Sequence, residues 1–248
     1  MIIDIVSVVS DFEQYNKLIT NNKYIKHCNK VFYDNTNENI PITKRYNDYI
    51  ENKMSENVWV VFCHQDFEFK ENITPILNKL DTSYIYGPIG ATWKENFSIC
   101  LHLNFVKPFK FRVGKTKRVY PIGEILETHE GKSKKIGKFL QNPELADTVD
   151  CCCIIVHSSL IKNNNLRFDE QLKWHSYSED FSLNAKQKHN IFTKVVQIES
   201  EHYSKGKFDK NLENSLDYLR TKYNKQPFAS TCYDGYYYNF INRIEKEM

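Results

Sequence analysis

Short runs of β-branched and aromatic residues alternate with amphipathic stretches along this chain. Ile2–Val9 carries one charge, Asp4, and stops at Ser10-Asp11, so it reads as a buried strand leading into a turn. Phe12, Tyr15, Leu18, Ile19 and Tyr24 then recur near helical spacing, with Ser10 or Asp11 placed as the N-cap. Residues 30–33 form a second short apolar run that ends in Asp34-Asn35. Pro41 opens a helix whose apolar positions Ile42, Tyr46, Tyr49 and Ile50 share one face. Val58–Cys63 is too short for a helix and too apolar for an exposed strand, and it runs straight into His64-Gln65-Asp66. Residues two apart on a strand lie on the same face, so His64 and Asp66 leave its carboxyl end together. In open α/β sheets that edge is where ligands bind.

Further along, Pro75, Ile76, Leu77 and Leu80 predict a short helix, and Tyr84-Ile85-Tyr86 a brief strand broken by Gly87-Pro88-Ile89-Gly90. Two glycines there suit either a close approach of backbone to a ligand or a plain turn. Residues 92–138 are the least regular stretch, with β-like runs at 97–106 and 118–122, and they are the candidate for substrate selection. A buried strand is expected at 149–156, preceded by Asp147 and Asp150. Ser178-Glu179-Asp180 has the chemistry of a helix start, because carboxylates there face the positive end of the helix dipole. Residues 192–198 read as the last strand, ending in Glu199-Ser200-Glu201-His202. A helix at 209–223 would place Leu212, Leu216, Leu219 and Tyr223 on one stripe. Residues 1–225 then make one α/β domain, and 226–248 an aromatic tail that packs on the domain or on a partner subunit.

Composition narrows the class without choosing a partner. With 41% hydrophobic and 26% charged residues over 248 positions, the chain has the makeup of a soluble globular protein with a sizeable core. A net charge of +3 is too small to imply an acidic partner. The basic residues are nevertheless concentrated, at Lys107, Lys110, Arg112, Lys115, Lys117, Arg118, Lys132, Lys134, Lys135 and Lys138, where they could meet phosphates or anionic lipid. The aromatic residues do not interleave with that cluster, so nucleic acid is not expected. None of the 7 cysteines shows C-x-x-C spacing, and Cys151, Cys152 and Cys153 read as reduced apolar residues. No transmembrane segment and no signal peptide is expected. The cytoplasm is the expected compartment, with the inner face of a membrane as its alternative, and a homodimer is a further expectation.

The chemistry-bearing stretches stand in one order: His64-Gln65-Asp66, Gly87-Pro88-Ile89-Gly90-Ala91, Asp147 to Asp150, Phe168-Asp169-Glu170, Glu179-Asp180 and a late His202. That order resembles the nucleotide-sugar glycosyltransferases of GT-A type, in the family-two-like branch that carries His-Gln-Asp in place of Asp-x-Asp. The resemblance spans about residues 2–223. It implies a GT-A (Rossmann-like) fold, an α/β architecture with a mixed, mostly parallel sheet flanked by helices. It implies inverting transfer of a sugar from a UDP- or GDP-sugar donor to a glycan or other hydroxyl acceptor. Residue by residue, it implies that Ser7, Val9 and Asp11 hold the nucleotide and that Asp34 contacts base or ribose. His64 and Asp66 would meet a divalent cation, Mn²⁺ or Mg²⁺, at the diphosphate, and His202 would complete that site. Asp180, with Glu179 as its alternate, would be the general base.

Elementary chemistry agrees with these roles. A departing nucleoside diphosphate needs its developing charge neutralised, which a divalent ion does, and an acceptor hydroxyl needs a nearby base. An imidazole in place of the first carboxylate favours Mn²⁺ over the oxygen-preferring Mg²⁺, and leaves open whether His64 touches metal or diphosphate. Two rivals stand beside this reading. One is a metal-dependent hydrolase with His64, Asp66, Asp180 and His202 as ligands; the other is a non-catalytic nucleotide- or glycan-binding module of the same fold.

Overall fold

β1 (Ile2–Val9) leads to α1 (Phe12–Tyr15), β2 (Asn29–Asp34), α2 (Ile42–Asn52) and β3 (Val58–Cys63), and β4 (Phe67–Phe69), α3 (Thr74–Leu77) and β5 (Ile85–Gly87) follow. A long hairpin of β6 (Gly90–His102) and β7 (Lys110–His129) is extended by β8 (Lys132–Lys138). The short strands β9 (Glu144–Ala146) and β10 (Thr148–Val149) precede β11 (Cys153–His157) and α4 (Ser158–Asn163). The order closes with α5 (Tyr177–His189), β12 (Thr193–Val195), β13 (Ser200–His202) and α6 (Lys210–Lys222). This computed structural model describes residues 1–102, 110–204, 210–224 and 228–231, without the side chains of 94–102 and 110–118.

The central sheet runs β2-β1-β3-β11-β5-β12-β9 and is mixed, as expected: β2, β1 and β3 are parallel, as are β5 and β12, while β11 and β9 run antiparallel to their neighbours. Every residue of β3 is buried, because the strand's alternating side chains enter two separate cores. Val58, Val60 and Phe62 pack with Tyr46 and Tyr49 of α2 and with Phe168 and Phe181. Trp59, Val61 and Cys63 pack with Tyr15, Ile19, Phe67 and Phe69 on the opposite face. Full burial of such side chains contributes about 1.5–3 kcal/mol each, which anchors β3 firmly in the sheet. Asp4, the one charge of β1, is tolerated because Tyr49 Oη donates to it at 2.6 Å and Asn29 Nδ2 at 2.8 Å.

Several expectations change. The stretch 92–138 is not irregular: β6 and β7 pair from Gly90↔Ile122 outward and build a second sheet, β10-β6-β7-β13-β4, with β8 on β7. Its local glycines and prolines hid a ladder whose pairing is cross-strand rather than local. The run 97–106 ends as strand at His102 and then leaves the described residues, as do the cluster residue Lys107 and the aromatic stretch 233–240. Of the basic cluster, Lys132, Lys134, Lys135 and Lys138 stand exposed on β8, and Lys135 pairs with Glu124 at 2.8 Å. The strand expected at 149–156 is two strands, because the chain crosses from the second sheet to the first at Asp150–Cys152. The run 192–198 likewise stops at Val195, and β13 starts anew in the second sheet.

Gly87 and Gly90 serve packing. A Cβ on Gly90 would lie 2.4 Å from the Thr148 carbonyl oxygen, and one on Gly87 would lie 2.8 Å from Val149 Cβ. The close approach is therefore to the protein's own β10. The N-cap of α1 is Asp11, whose Oδ1 accepts from Gln14 N at 3.0 Å. Ser178 does not cap α5, which begins one residue earlier after Ser176 in the left-handed region at φ 59°.

One side chain ties α2 to the segment before α5. Asn47 accepts from Phe168 N at 2.9 Å and donates to Phe168 O at 2.9 Å and to Glu170 Oε1 at 3.1 Å. Asn47→Ala should cost about 2 kcal/mol by orphaning buried backbone groups, seen as a melting temperature roughly 4–8 °C lower. A change of less than one degree would mean that this bridge is not formed.

Candidate functional site

The buried strand β3 cannot end without placing polar groups at a sheet edge, and His64-Gln65-Asp66 are those groups. His64 N donates to Cys152 O at 3.0 Å, so β3 ends against the crossover between the two sheets. Gln65 turns the other way: its Oε1 accepts from Ser10 N at 2.7 Å and Asp11 N at 3.0 Å, while its Nε2 donates to Ser10 Oγ at 3.2 Å. The middle residue of the tripeptide thus fastens the carboxyl end of β1 to that of β3. Tyr203 N donates to Asp66 O at 2.9 Å, and this bond brings the end of β13 alongside.

His64, Asp66 and His202 converge as a result. One ligating atom from each lies within 4.8 Å of the others. Asp66 Oδ1 is 3.5 Å from His202 Nε2 and 3.8 Å from His64 Nδ1. Tyr177 Oη lies 2.7 Å from His64 Nε2 and 3.1 Å from Cys151 O, between the imidazole and the backbone of the crossover. The contact fixes the orientation of the His64 ring and turns Nδ1 toward Asp66. Orienting a ligand imidazole through its other nitrogen is a common support for metal sites.

Electrostatics within the cluster are strongly coupled. Burial opposes the Asp66 charge, but His202 and His64 outweigh it and hold the carboxyl below its ordinary value. Burial also opposes protonation of His202, and Asp66 and Asp150 outweigh it, raising that imidazole. For His64 burial wins, and its pKa is lowered. Asp150 is held low against burial by His202, by the Thr231 hydroxyl and by the Cys152 N–H, to which its Oδ1 is bonded at 2.8 Å. The set of two imidazoles and one carboxylate could hold a divalent cation. Its nitrogen content suits Mn²⁺ and disfavours Mg²⁺.

The other expected residues lie elsewhere. Ser7 and Val9 are fully buried in β1, where Ser7 Oγ sits 3.5 Å from Cys63 Sγ. Asp11 caps α1. Asp34 is exposed at the carboxyl end of β2, and hydrogen bonds from Thr36 lower its carboxyl. Asp180 is 1% exposed, and its Oδ1 meets Lys222 Nζ at 2.7 Å and Tyr223 Oη at 2.7 Å. Glu179, equally buried, accepts from Ser230 Oγ at 2.6 Å and from Ser178 Oγ at 2.9 Å. Burial pushes both carboxyls up, in Asp180 despite Lys222. The four-ligand set of the hydrolase reading is not assembled: among the described residues the metal-competent group is His64, Asp66 and His202, without Asp180. Sequence reasoning assigned no role to Gln65, Tyr177 or Asp150. Gln65 and Asp150 had local signals, one inside the tripeptide and the other in the acidic lead of the strand at 149–156; Tyr177 had none.

No protein family matches the sequence, and no curated protein matches it either. Among solved structures, GalNAc-T7, crystallised with UDP, GalNAc and Mn²⁺, is similar over 89% of this chain at 8% identity and a TM-score of 0.52. TarS of S. aureus, as residues 1–349, is similar over 82% of this chain and 60% of its own at 12% identity and a TM-score of 0.46; full TarS gives 90%, 39%, 12% and 0.43. The chain spans about half the length of GalNAc-T7, 48%. At such identity the likeness is one of architecture, and the architecture is the GT-A fold, a mixed sheet flanked by helices.

Proposed function

We propose that this chain is a nucleotide-sugar glycosyltransferase that holds a divalent cation, Mn²⁺ in preference to Mg²⁺, on His64, Asp66 and His202. The observation that carries the proposal is the meeting of these three side chains, within 4.8 Å, at the carboxyl end of the central strand of a GT-A fold. Such an ion neutralises the charge that develops on a departing diphosphate. Asp66 supplies the anionic ligand, Tyr177 aims His64, and the Asp66 and Asp150 carboxylates attract a positive charge to His202. GalNAc-T7, which shares the fold, was crystallised with UDP and Mn²⁺. The nucleotide would lie across the carboxyl ends of β1, β2 and β3, with Asp11 and Asp34 at its rim and Ser7 and Val9 forming the floor. A metal hydrolase can use the same donor types, but a nucleotide would add nothing to its response to metal.

The acceptor hydroxyl needs a base, and Asp180, with Glu179 as alternate, is the proposed one for an inverting transfer. Lys222 and Tyr223 must part from Asp180 before its carboxylate can reach a hydroxyl. A variant can therefore tell a base from a clamp between α5 and α6.

Thermal-shift measurements with UDP, GDP and their sugars should show stabilisation of the parent that depends on Mn²⁺, about 2.7 kcal/mol at 100 times the dissociation constant. Asp66→Ala should abolish that shift and keep the fold. An undiminished shift in Asp66→Ala would remove the cation bridge, and a metal response that no nucleotide enlarges would point to the hydrolase.

Asp180→Asn should lower kcat about 10²- to 10⁴-fold with donor affinity unchanged, since the lost interaction belongs to the transition state. Parent-like kcat per folded molecule, accompanied by a lower denaturation midpoint, would instead assign Asp180 to the α5–α6 clamp.

A further inference from the structure

α6 carries two stripes. Leu212, Leu216 and Leu219 are buried in the core, while Asn211, Asn214, Ser215 and Tyr218 recur at i, i+3, i+4 and i+7 on another face. That second stripe, together with Trp174 and His175 from the loop before α5, lines a cavity of about 190 Å³. None of these residues has a part in the cation cluster.

The walls are fixed in place. Lys173 O accepts from Ile42 N at 3.1 Å, and Leu172 is fully buried, so the loop is pinned to the start of α2 on one side and to the core on the other. Tyr218 Oη donates to Asp169 Oδ2 at 2.7 Å, the same oxygen that Lys222 Nζ reaches at 2.6 Å. Ser215 Oγ donates to Asn211 O at 2.9 Å, which leaves the hydroxyl oxygen to accept.

The lining selects a ligand class. Among the lining residues there is no carboxylate to bind a cation and no arginine fork to grip a phosphate. The cavity offers side-chain amides and hydroxyls, the Lys173 ammonium and the His175 imidazole beside the indole of Trp174 and the ring of Tyr218. Amides and hydroxyls match the alternating donors and acceptors of a polyol, and aromatic faces match the apolar C–H face of a sugar ring. The volume lies below the roughly 300 Å³ at which drug-sized pockets begin, so it accommodates one ring rather than an oligosaccharide. The loop also connects to the cation cluster, because Tyr177, two residues beyond His175, bonds His64 directly.

We propose that the cavity between the 171–175 loop and α6 is a saccharide-binding subsite that holds one sugar ring of the acceptor. Its role as the acceptor side rests on the glycosyltransferase reading; sugar binding itself does not.

The test is saturation-transfer NMR titration of the full chain with methyl glycosides of glucose, galactose, N-acetylglucosamine and N-acetylgalactosamine, and with methyl glucuronide because Lys173 is one of the lining residues. At least one should bind. Trp174→Ala should weaken it about tenfold, as loss of an aromatic anchor does, and Asn214→Ala a few-fold. The Mn²⁺- and UDP-dependent thermal shift should be unchanged in both variants. Asn214 is exposed on α6, so its variant decides the matter if Trp174→Ala does not fold. Absence of binding, or equal binding by parent and Asn214→Ala, would overturn the subsite. Glycoside binding that is lost in the variants, in a parent that shows no nucleotide shift, would uphold the subsite and remove the transferase reading.

Discussion

The structure depends on a strand that is buried on both faces and must still come to an end. β3 separates two cores, and each of its side chains contributes to one of them. At its carboxyl end the backbone and the next three side chains need partners, and the supply of partners organises the site. Cys152 O receives His64 N, Ser10 and Asp11 donate to Gln65, and Tyr203 donates to Asp66 O. The polar exit of the strand thus joins β1, the Asp150–Cys152 crossover and the end of β13 at one point. Leaving the fully buried Cys152 carbonyl without its partner would cost about 1–3 kcal/mol.

Charge follows the same economy. A carboxylate between two imidazoles keeps its ionised form in a partly buried place only because those imidazoles compensate for lost water. Asp150 adds a second negative charge behind His202 and is itself secured by Thr231 and Cys152 N. The cluster therefore attracts cations, which suits a site that must approach a diphosphate only with an ion in between.

Residues 228–231 act as a strap near this centre. Ser230 bonds Glu179, Thr231 bonds Asp150, and Ala229 exchanges bonds with Asp147 and Thr148. The strap and the Asp180–Lys222 pair hold the first turn of α5 from two sides, and this accounts for the burial of two adjacent carboxylates at a helix start.

What the sequence determined by itself was set by period and by neighbours. The strands Ile2–Val9 and Val58–Cys63, the helix opened by Pro41 and the leucine stripe of α6 all follow from side-chain geometry along a single segment, whereas His64 and Asp66 leave β3 in a turn closed by Phe67 N and His64 O rather than as one face of the strand. Tertiary structure decided the rest, because the cause lay in another segment. His202 joins Asp66 only because β13 pairs with β4 and β7, and the apparent strand at 149–156 breaks because it serves two sheets. Tyr177 looked like any core aromatic until the fold placed its hydroxyl between His64 and Cys151 O. The helix-start chemistry of Glu179-Asp180 was legible, but whether those carboxylates face solvent or a lysine depended on α6, some forty residues on, and no local pattern encodes that distance.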